Sequence, residues 1–213
     1  VFTSGTTSKP KSVVYNHLSY WLSGLSTLSM LGLTADDKTL EYRSFGWNSA
    51  QILSLMPWLQ TGLTMHIAPK FSHSRFFGWI QEHGITFAAG VPTVVNMLLN
   101  EPLGISAEDV PTLRLMTCST APLSPEQWRK FEDMYGVTLL QLYGMSEAGW
   151  ICGNRHDQRR MGTVGPPAKH QEFQIVNHEG APCPTGVEGE VSVGGPQACM
   201  GTISPEGVYE DLS

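Results

Sequence analysis

Apolar residues at Leu18, Trp21, Leu22, Leu25 and Leu28 recur at three- and four-residue intervals. That spacing marks one face of an α-helix, and Asn16 stands where a capping side chain belongs. Short strand-like runs follow at 39–42, 64–68, 85–89, 113–117 and 137–142, separated by helix-like stretches near 49–59, 72–83, 93–99 and 124–135. Ser124 with Gln127 three residues on forms a capping box, and Pro125 occupies the first helical position. Gly62, Gly84 and Gly136 stand where helices should stop. The alternation predicts an α/β fold, a mostly parallel sheet flanked by helices, with ligands at the carboxyl ends of the strands. From Gly162 the texture changes to Gly- and Pro-rich turns around two strand runs, 172–176 and 188–193, the start of a smaller β-rich subdomain. The expected division is an α/β core over 1–161 and a β-rich subdomain over 162–213, both partial.

Composition narrows the function classes. The 213 residues are 41% hydrophobic and only 15% charged, with 22 glycines and 14 prolines, a globular and loop-rich chain and not a repetitive fibre. A net charge of −6 offers no electrostatic footprint for nucleic acid or an anionic membrane. No stretch reaches the roughly 20 apolar residues of a membrane span. Cys118, Cys152, Cys183 and Cys199 form no C-x-x-C pair, which fits a reducing, cytoplasmic setting. The seven histidines, 7 in number, show no H-x-x-x-H or H-E-x-x-H arrangement, so packing or solvated roles are expected. Arg155, Arg159 and Arg160 read as a solvated basic loop, Cys118 as a small buried hydrophobe, and the aromatic segment 71–80 as a core-facing helix. Because the first residue is Val1 and runs straight into a strand end, coding sequence upstream is expected to be missing.

Two segments carry candidate chemistry. In Thr3-Ser4-Gly5-Thr6-Thr7-Ser8-Lys9-Pro10-Lys11, hydroxyls, flexible amides and two lysines crowd together, a composition suited to phosphoryl oxygens. It is not a Walker A loop, which needs a second glycine before Lys-Ser/Thr. Taken by itself it is equally describable as a polar surface turn. Tyr143-Gly144-Met145-Ser146-Glu147 follows a strand where α/β sheets place their sites. Glu147 offers a hard oxygen ligand for Mg²⁺, Ser146 a phosphate contact and Tyr143 a flat face for a base. Its bland reading is an ordinary strand-to-loop turn.

Together these segments resemble the signatures of the adenylate-forming superfamily, which includes acyl-CoA synthetases and the adenylation domains of peptide synthetases. The family's T-S-G-[ST]-T-G-x-P-K-G loop is matched by residues 3–12 and its Y-G-x-T-E by residues 143–147. Val91-Pro92-Thr93, Ala121-Pro122-Leu123, Gly162-Thr163-Val164-Gly165-Pro166 and Gly186-Val187-Glu188-Gly189-Glu190 also look alike. The resemblance implies attack of a small-molecule carboxylate on the α-phosphate of Mg·ATP, then transfer of the acyl group to coenzyme A. It implies that Thr3, Ser4, Gly5, Thr6, Thr7 and Lys11 attend the phosphates, that Ser146 contacts the α-phosphate, and that Glu147 binds Mg²⁺. Ser119, Thr120, Ala121, Tyr143 and Gly144 would hold the adenine. Trp47, within Phe45-Gly46-Trp47-Asn48, together with Gly90 and Met145 would line the acyl pocket. No acid stands near Phe45 to anchor a substrate amine, so an unaminated acid is expected.

Departures from the pattern are Ser8 and Ser12 for glycines, Ser119 and Thr120 where Gly-Gly is common, Leu142 for a small residue, and Thr202 for Tyr. The resemblance also implies a ribose-holding segment and a catalytic lysine beyond Ser213, so the 213 residues are not expected to turn over alone. Two other readings stay open: an inert nucleotide-binding module, and an adenylation domain that loads a carrier protein.

Overall fold

The computed structural model describes residues 1–3 and 10–212. Ser4, Gly5, Thr6 and Thr7, expected at the phosphates, lie outside the described residues.

Two short strands open the chain, β1 (Phe2–Thr3) and β2 (Lys11–Val14), paired antiparallel with Thr3 opposite Lys11. Helix α1 (His17–Leu31) follows, capped by the Asn16 side chain accepting from the Ser19 N–H at 2.8 Å and ended by Gly32 in the left-handed conformation. Then come β3 (Lys38–Glu41), α2 (Asn48–Ala50), a π-helical stretch Gln51–Leu55, α3 (Met56–Thr61) and β4 (Thr64–Ile67). The next elements are α4 (His73–His83), β5 (Phe87–Ala88), α5 (Pro92–Asn100), β6 (Leu115–Cys118) and α6 (Pro125–Tyr135). β7 (Thr138–Met145) and β8 (Gly149–Gly153) complete a six-stranded sheet in the order β4-β3-β5-β6-β7-β8. All neighbours in it are parallel except β7 with β8. The remaining strands are β9 (Glu172–Val176), β10 (Glu190–Gly194), β11 (Gly201–Ile203) and β12 (Tyr209–Asp211).

The expected mostly parallel sheet flanked by helices is what forms. Its helix ends follow the local chemistry: Gly62, Gly84 and Gly136 all adopt positive φ at helix C-caps, and Ser124 and Gln127 exchange both capping-box hydrogen bonds. Period-two alternation in the strands feeds two cores. Ala88, Met116 and Leu139 point to the layer of α4, α5 and α6, where Phe76, Val95, Trp128 and Phe131 are fully buried. Phe87, Leu115, Leu140 and Leu142 point the other way, toward Met30 and Leu31 of α1 and toward Ile52 and Leu53. Cys118 lies in the first core, where burial pushes its thiol up to about 12.

Helix α1 departs from its apolar periodicity. Leu18 and Trp21 are about half exposed, whereas Ser19, Ser23, Ser26 and Thr27 are buried. The hydroxyls are tolerated because each is satisfied: Ser26 donates to Gln197 Oε1 (2.6 Å) and Thr27 to the Ile52 carbonyl (2.7 Å), while the Trp150 indole donates to Thr27 Oγ1 (2.9 Å). Thr27 thereby occupies a carbonyl inside the π-helical stretch.

The division at residue 161 does not separate the sheets. β2 pairs with β11 in a four-stranded antiparallel sheet, β1-β2-β11-β12, so the opening residues join strands from the C-terminal end. β9 and β10 form a separate two-stranded pair. No helix among the described residues is long and apolar enough to cross a membrane.

Asp37, at the base of β3, fastens α1 to the sheet. It accepts from Arg114 at 3.0 and 3.1 Å and from Thr86 at 2.6 Å, while Arg114 also reaches the Leu31 and Gly32 carbonyls. Burial opposes the charge of Asp37, but the bonds from Arg114, Thr86 and the Thr34 amide outweigh it and hold the carboxyl below its ordinary value. A carboxyl depressed in the fold stabilises it above the unfolded-state pKa, and that contribution fades as pH falls through the folded one. Asp37→Asn should therefore cost about 1–2 kcal/mol at pH 7, and the gap from wild type should narrow below pH 4, as urea unfolding at the two pH values will show.

Candidate active site

A cleft of about 590 Å³ opens at the carboxyl ends of the parallel strands. Its walls come from two loops, one hairpin and one strand. The β3–α2 loop supplies Trp47 and Asn48, the β6–α6 loop supplies Thr120, the β7–β8 hairpin supplies Gly144, Met145 and Ser146, and β1 supplies Thr3. Ile52, Gly149 and Trp150 also line it. The chain thus brings six sequence-selected residues to one cavity: Thr3, Trp47, Thr120, Gly144, Met145 and Ser146.

The Tyr143–Glu147 segment is not a loop after a strand ending at 142. β7 continues to Met145, because β8 pairs with it: Tyr143 faces Cys152 and Met145 faces Gly149, with a bulge between Tyr143 and Gly144. A Cβ on Gly144 would run into the Gly149 carbonyl and the Trp150 ring, so glycine lets the hairpin close. Ser146 and Glu147 then fall in the tight connection, with Gly149 at φ 66° beginning the return strand.

Backbone groups of this connection are pinned from the neighbouring sheet. The buried Tyr15 hydroxyl donates to the Ser146 carbonyl at 2.6 Å, and the Cys199 amide donates to the Glu147 carbonyl at 2.8 Å. The Met200 amide in turn donates to the Val14 carbonyl (2.8 Å), so the strand that begins with Lys11 and the hairpin tip are tied through common residues. Burial, followed by nearby Cys199, Tyr20 and Glu147, raises the Tyr15 phenol above its ordinary pKa, so it remains a donor across the physiological range. Tyr20, also pushed up by burial, to about 12, packs edge-on against the Tyr15 ring with centroids 4.9 Å apart. Its hydroxyl donates to Gln51 Oε1 (2.6 Å), while Gln51 Nε2 donates to the Phe45 carbonyl (2.5 Å). The loop from Phe45 to Trp47 is therefore held by side chains of α1 and the π-helical stretch.

That loop is also braced from below. Glu41, fully buried at the end of β3, takes Arg43 Nε at 2.9 Å and Nη2 at 2.6 Å, and its second oxygen accepts from Ser54 at 2.6 Å. The Arg43 charge is thereby consumed within the fold.

The other selected residues among those described do not line the cleft. Ser119 is wholly buried and its hydroxyl has no hydrogen-bond partner among the described residues. A Cβ on Gly90 would strike the Thr117 carbonyl and the Met116 side chain, so glycine there serves the close approach of β5 and β6 and offers no surface to a ligand. Tyr143 and Ala121 are exposed, and Lys11 is exposed at the head of β2. Glu147 is half-buried, and its carboxylate makes no hydrogen bond or ion pair among the described residues.

Thr120 is the one non-glycine residue with positive φ (76°) among the described residues. For a β-branched side chain that conformation costs about 1–2 kcal/mol. Glycine would adopt that conformation without the cost.

A family model described as AMP-binding enzyme matches residues 1–202. The chain belongs to the AMP-binding enzyme family. A crotonobetaine/carnitine–CoA ligase of Escherichia coli O127:H6 is 30% identical over 197 residues, covering 92% of this chain and 38% of that protein. Among solved structures, ATP-bound MatB from Rhodopseudomonas palustris superimposes with a TM-score of 0.88 at 24% identity, over 100% of this chain and 44% of that one. The MenE O-succinylbenzoate coenzyme A synthetase of Bacillus subtilis, in complex with ATP and magnesium ion, gives a TM-score of 0.83 at 25% identity, over 97% and 42% respectively. The chain spans less than half the length of these relatives.

Sequence reasoning overlooked Tyr15, Ile52 and Trp150. Ile52 and Trp150 carried only a signal of burial, and the partner of Tyr15 is 131 residues away. Removing that hydroxyl leaves the Ser146 carbonyl with one donor fewer. Tyr15→Phe should lower unfolding stability by about 1 kcal/mol, and hydrogen exchange should show faster exchange confined to the 146–150 amides and the start of β11.

Proposed function

We propose that the protein containing this chain is an AMP-forming acid–thiol ligase that adenylates a carboxylic acid and passes the acyl group to coenzyme A. The observation that carries this reading is the meeting of Thr3, Thr120 and the Gly144–Ser146 segment in one cleft at the strand ends, in a chain of the AMP-binding family. In the first half-reaction a carboxylate oxygen forms a bond to the α-phosphorus of ATP and the bond to the pyrophosphate oxygen breaks. Catalysis of that step is mainly positioning and charge neutralisation. Lys11 and the hydroxyl-rich segment beginning at Thr3 are suited to the phosphates, and Ser146 to the α-phosphate. Tyr143 and the exposed Thr120 and Ala121 frame the adenine side, with the wholly buried Ser119 supporting them from within the fold.

Glu147 is suited to hold Mg²⁺. The Ser146 carbonyl and its own carbonyl accept from Tyr15 and Cys199 while its carboxylate is left available among the described residues, and Mg²⁺ in such sites takes one or two carboxylates together with water and phosphate oxygens. When bound, the ion would neutralise charge on the phosphate chain.

The acid body is proposed to be uncharged. Among the described residues no Asp, Glu, Lys, Arg or His lines the cleft, and Arg43 nearby is already spent on Glu41. Nothing in the lining would compensate a desolvated ammonium or second carboxylate. CoA ligases among the relatives favour coenzyme A over a carrier protein as acceptor. A cytoplasmic setting belongs to the same proposal, supported by the four free cysteines.

Calorimetric titration of the chain with ATP, with and without Mg²⁺, tests the reading. Mg²⁺ should tighten binding by about tenfold or more in wild type, a difference of about 1.4 kcal/mol or larger, and Glu147→Gln should lose that gain. Absence of nucleotide binding, or an equal metal effect in the variant, contradicts it.

A further inference from the structure

We infer that Thr120 is a specificity-determining residue whose side chain limits the size of the acyl body accepted by the cleft; this rests on the acyl-adenylate reading above. The resemblance puts residues 119–121 beside the adenine. The geometry assigns Thr120 a second neighbourhood, because its side chain shares the cleft with Trp47 and Met145, the residues proposed for the acyl group, over a floor that includes the buried Trp150.

Strain makes the assignment specific. Thr120 holds φ 76°, a conformation that glycine adopts freely and a β-branched residue resists. The loop has little freedom to relax. On one side β6 is buried at every position and the Ser119 amide donates to the Gly90 carbonyl (3.3 Å). On the other, Leu123 is buried and Ser124 caps α6. Backbone placement is thus imposed by the scaffold whatever side chain stands at 120. The threonine gives the fold nothing in return: among the described residues its hydroxyl makes no hydrogen bond, and the side chain is exposed to the cleft. A residue that costs stability, makes no hydrogen bond among the described residues and projects three heavy atoms into a ligand cavity is spent on the ligand. Steric exclusion is the chemistry available, since a methyl and a free hydroxyl beside Trp47 shorten the space for a bulky acid and leave room for a small one.

The test uses two non-hydrolysable acyl-adenylate mimics, acetyl- and 2-naphthoyl-sulfamoyladenosine, titrated into wild type, Thr120→Gly and Thr120→Ala. Both variants should shift the affinity ratio toward the naphthoyl mimic by about tenfold or more. Only Thr120→Gly should also raise the melting temperature, by about 2–4 °C, because alanine keeps the backbone strain while removing the bulk. A stability gain in Thr120→Gly with the affinity ratio unchanged in both variants overturns the inference and leaves the ligase reading intact. Wild type that binds neither mimic overturns both.

Discussion

Two backbone carbonyls, those of Ser146 and Glu147, set the geometry of the site. Asn48 Nδ2 reaches the first at 3.5 Å, and the shorter bonds come from the Tyr15 phenol to the first and from the Cys199 amide to the second. Tyr15 and Cys199 belong to the segments flanking the antiparallel sheet of β1, β2, β11 and β12, and they draw that sheet against the mouth of the parallel one. Together with Gln197, whose amide donates to the Ala148 and Trp150 carbonyls, they fix the strands bearing Thr3 and Lys11 relative to the hairpin tip bearing Ser146 and Glu147. The pairing is between uncharged groups, so salt does not screen it and loss of the phenol or a backbone shift undoes it.

Rigidity on the opposite wall has a different origin. The Trp47 loop is anchored by a buried ion pair, Glu41 with Arg43, and by Gln51 gripping the Phe45 carbonyl. Buried ion pairs add little net stability but make disruption costly, which suits a wall that must keep its shape more than it must add to the fold. Thr120 stands between these two fixed walls in an unfavourable backbone state. Stability is given up at the cleft and recovered in the two cores on either face of the sheet.

Much of this was legible in the sequence. Helices announced themselves through caps and terminal glycines, and β3 to β7 through strand-forming runs, because those signals are local. β8 was missed because all five of its residues are buried, which erases alternation, and glycines at both ends resemble a turn. β2 and β11 were missed because each is short and is specified by a partner nearly the whole chain away. The face of α1 was misleading for the same reason: its buried serines are satisfied by Gln197 and its threonine by Ile52 and Trp150, none of them visible from the helix itself. At the site, motif residues were legible and their orientation was not. Ser119 turned inward, Gly90 proved to be a packing glycine, and Tyr143 to Met145 turned out to be strand.

The central claim is that the opening strands and the hairpin tip close around one nucleotide. A crystal structure of this chain grown with a non-hydrolysable ATP analogue and Mn²⁺, with the metal located by anomalous scattering, tests it most directly. The account predicts a metal peak at coordination distance from the Glu147 carboxylate, with the phosphates lying between Thr3 and Ser146. A nucleotide bound elsewhere on the molecule, or a metal held by residues remote from Glu147, would contradict it.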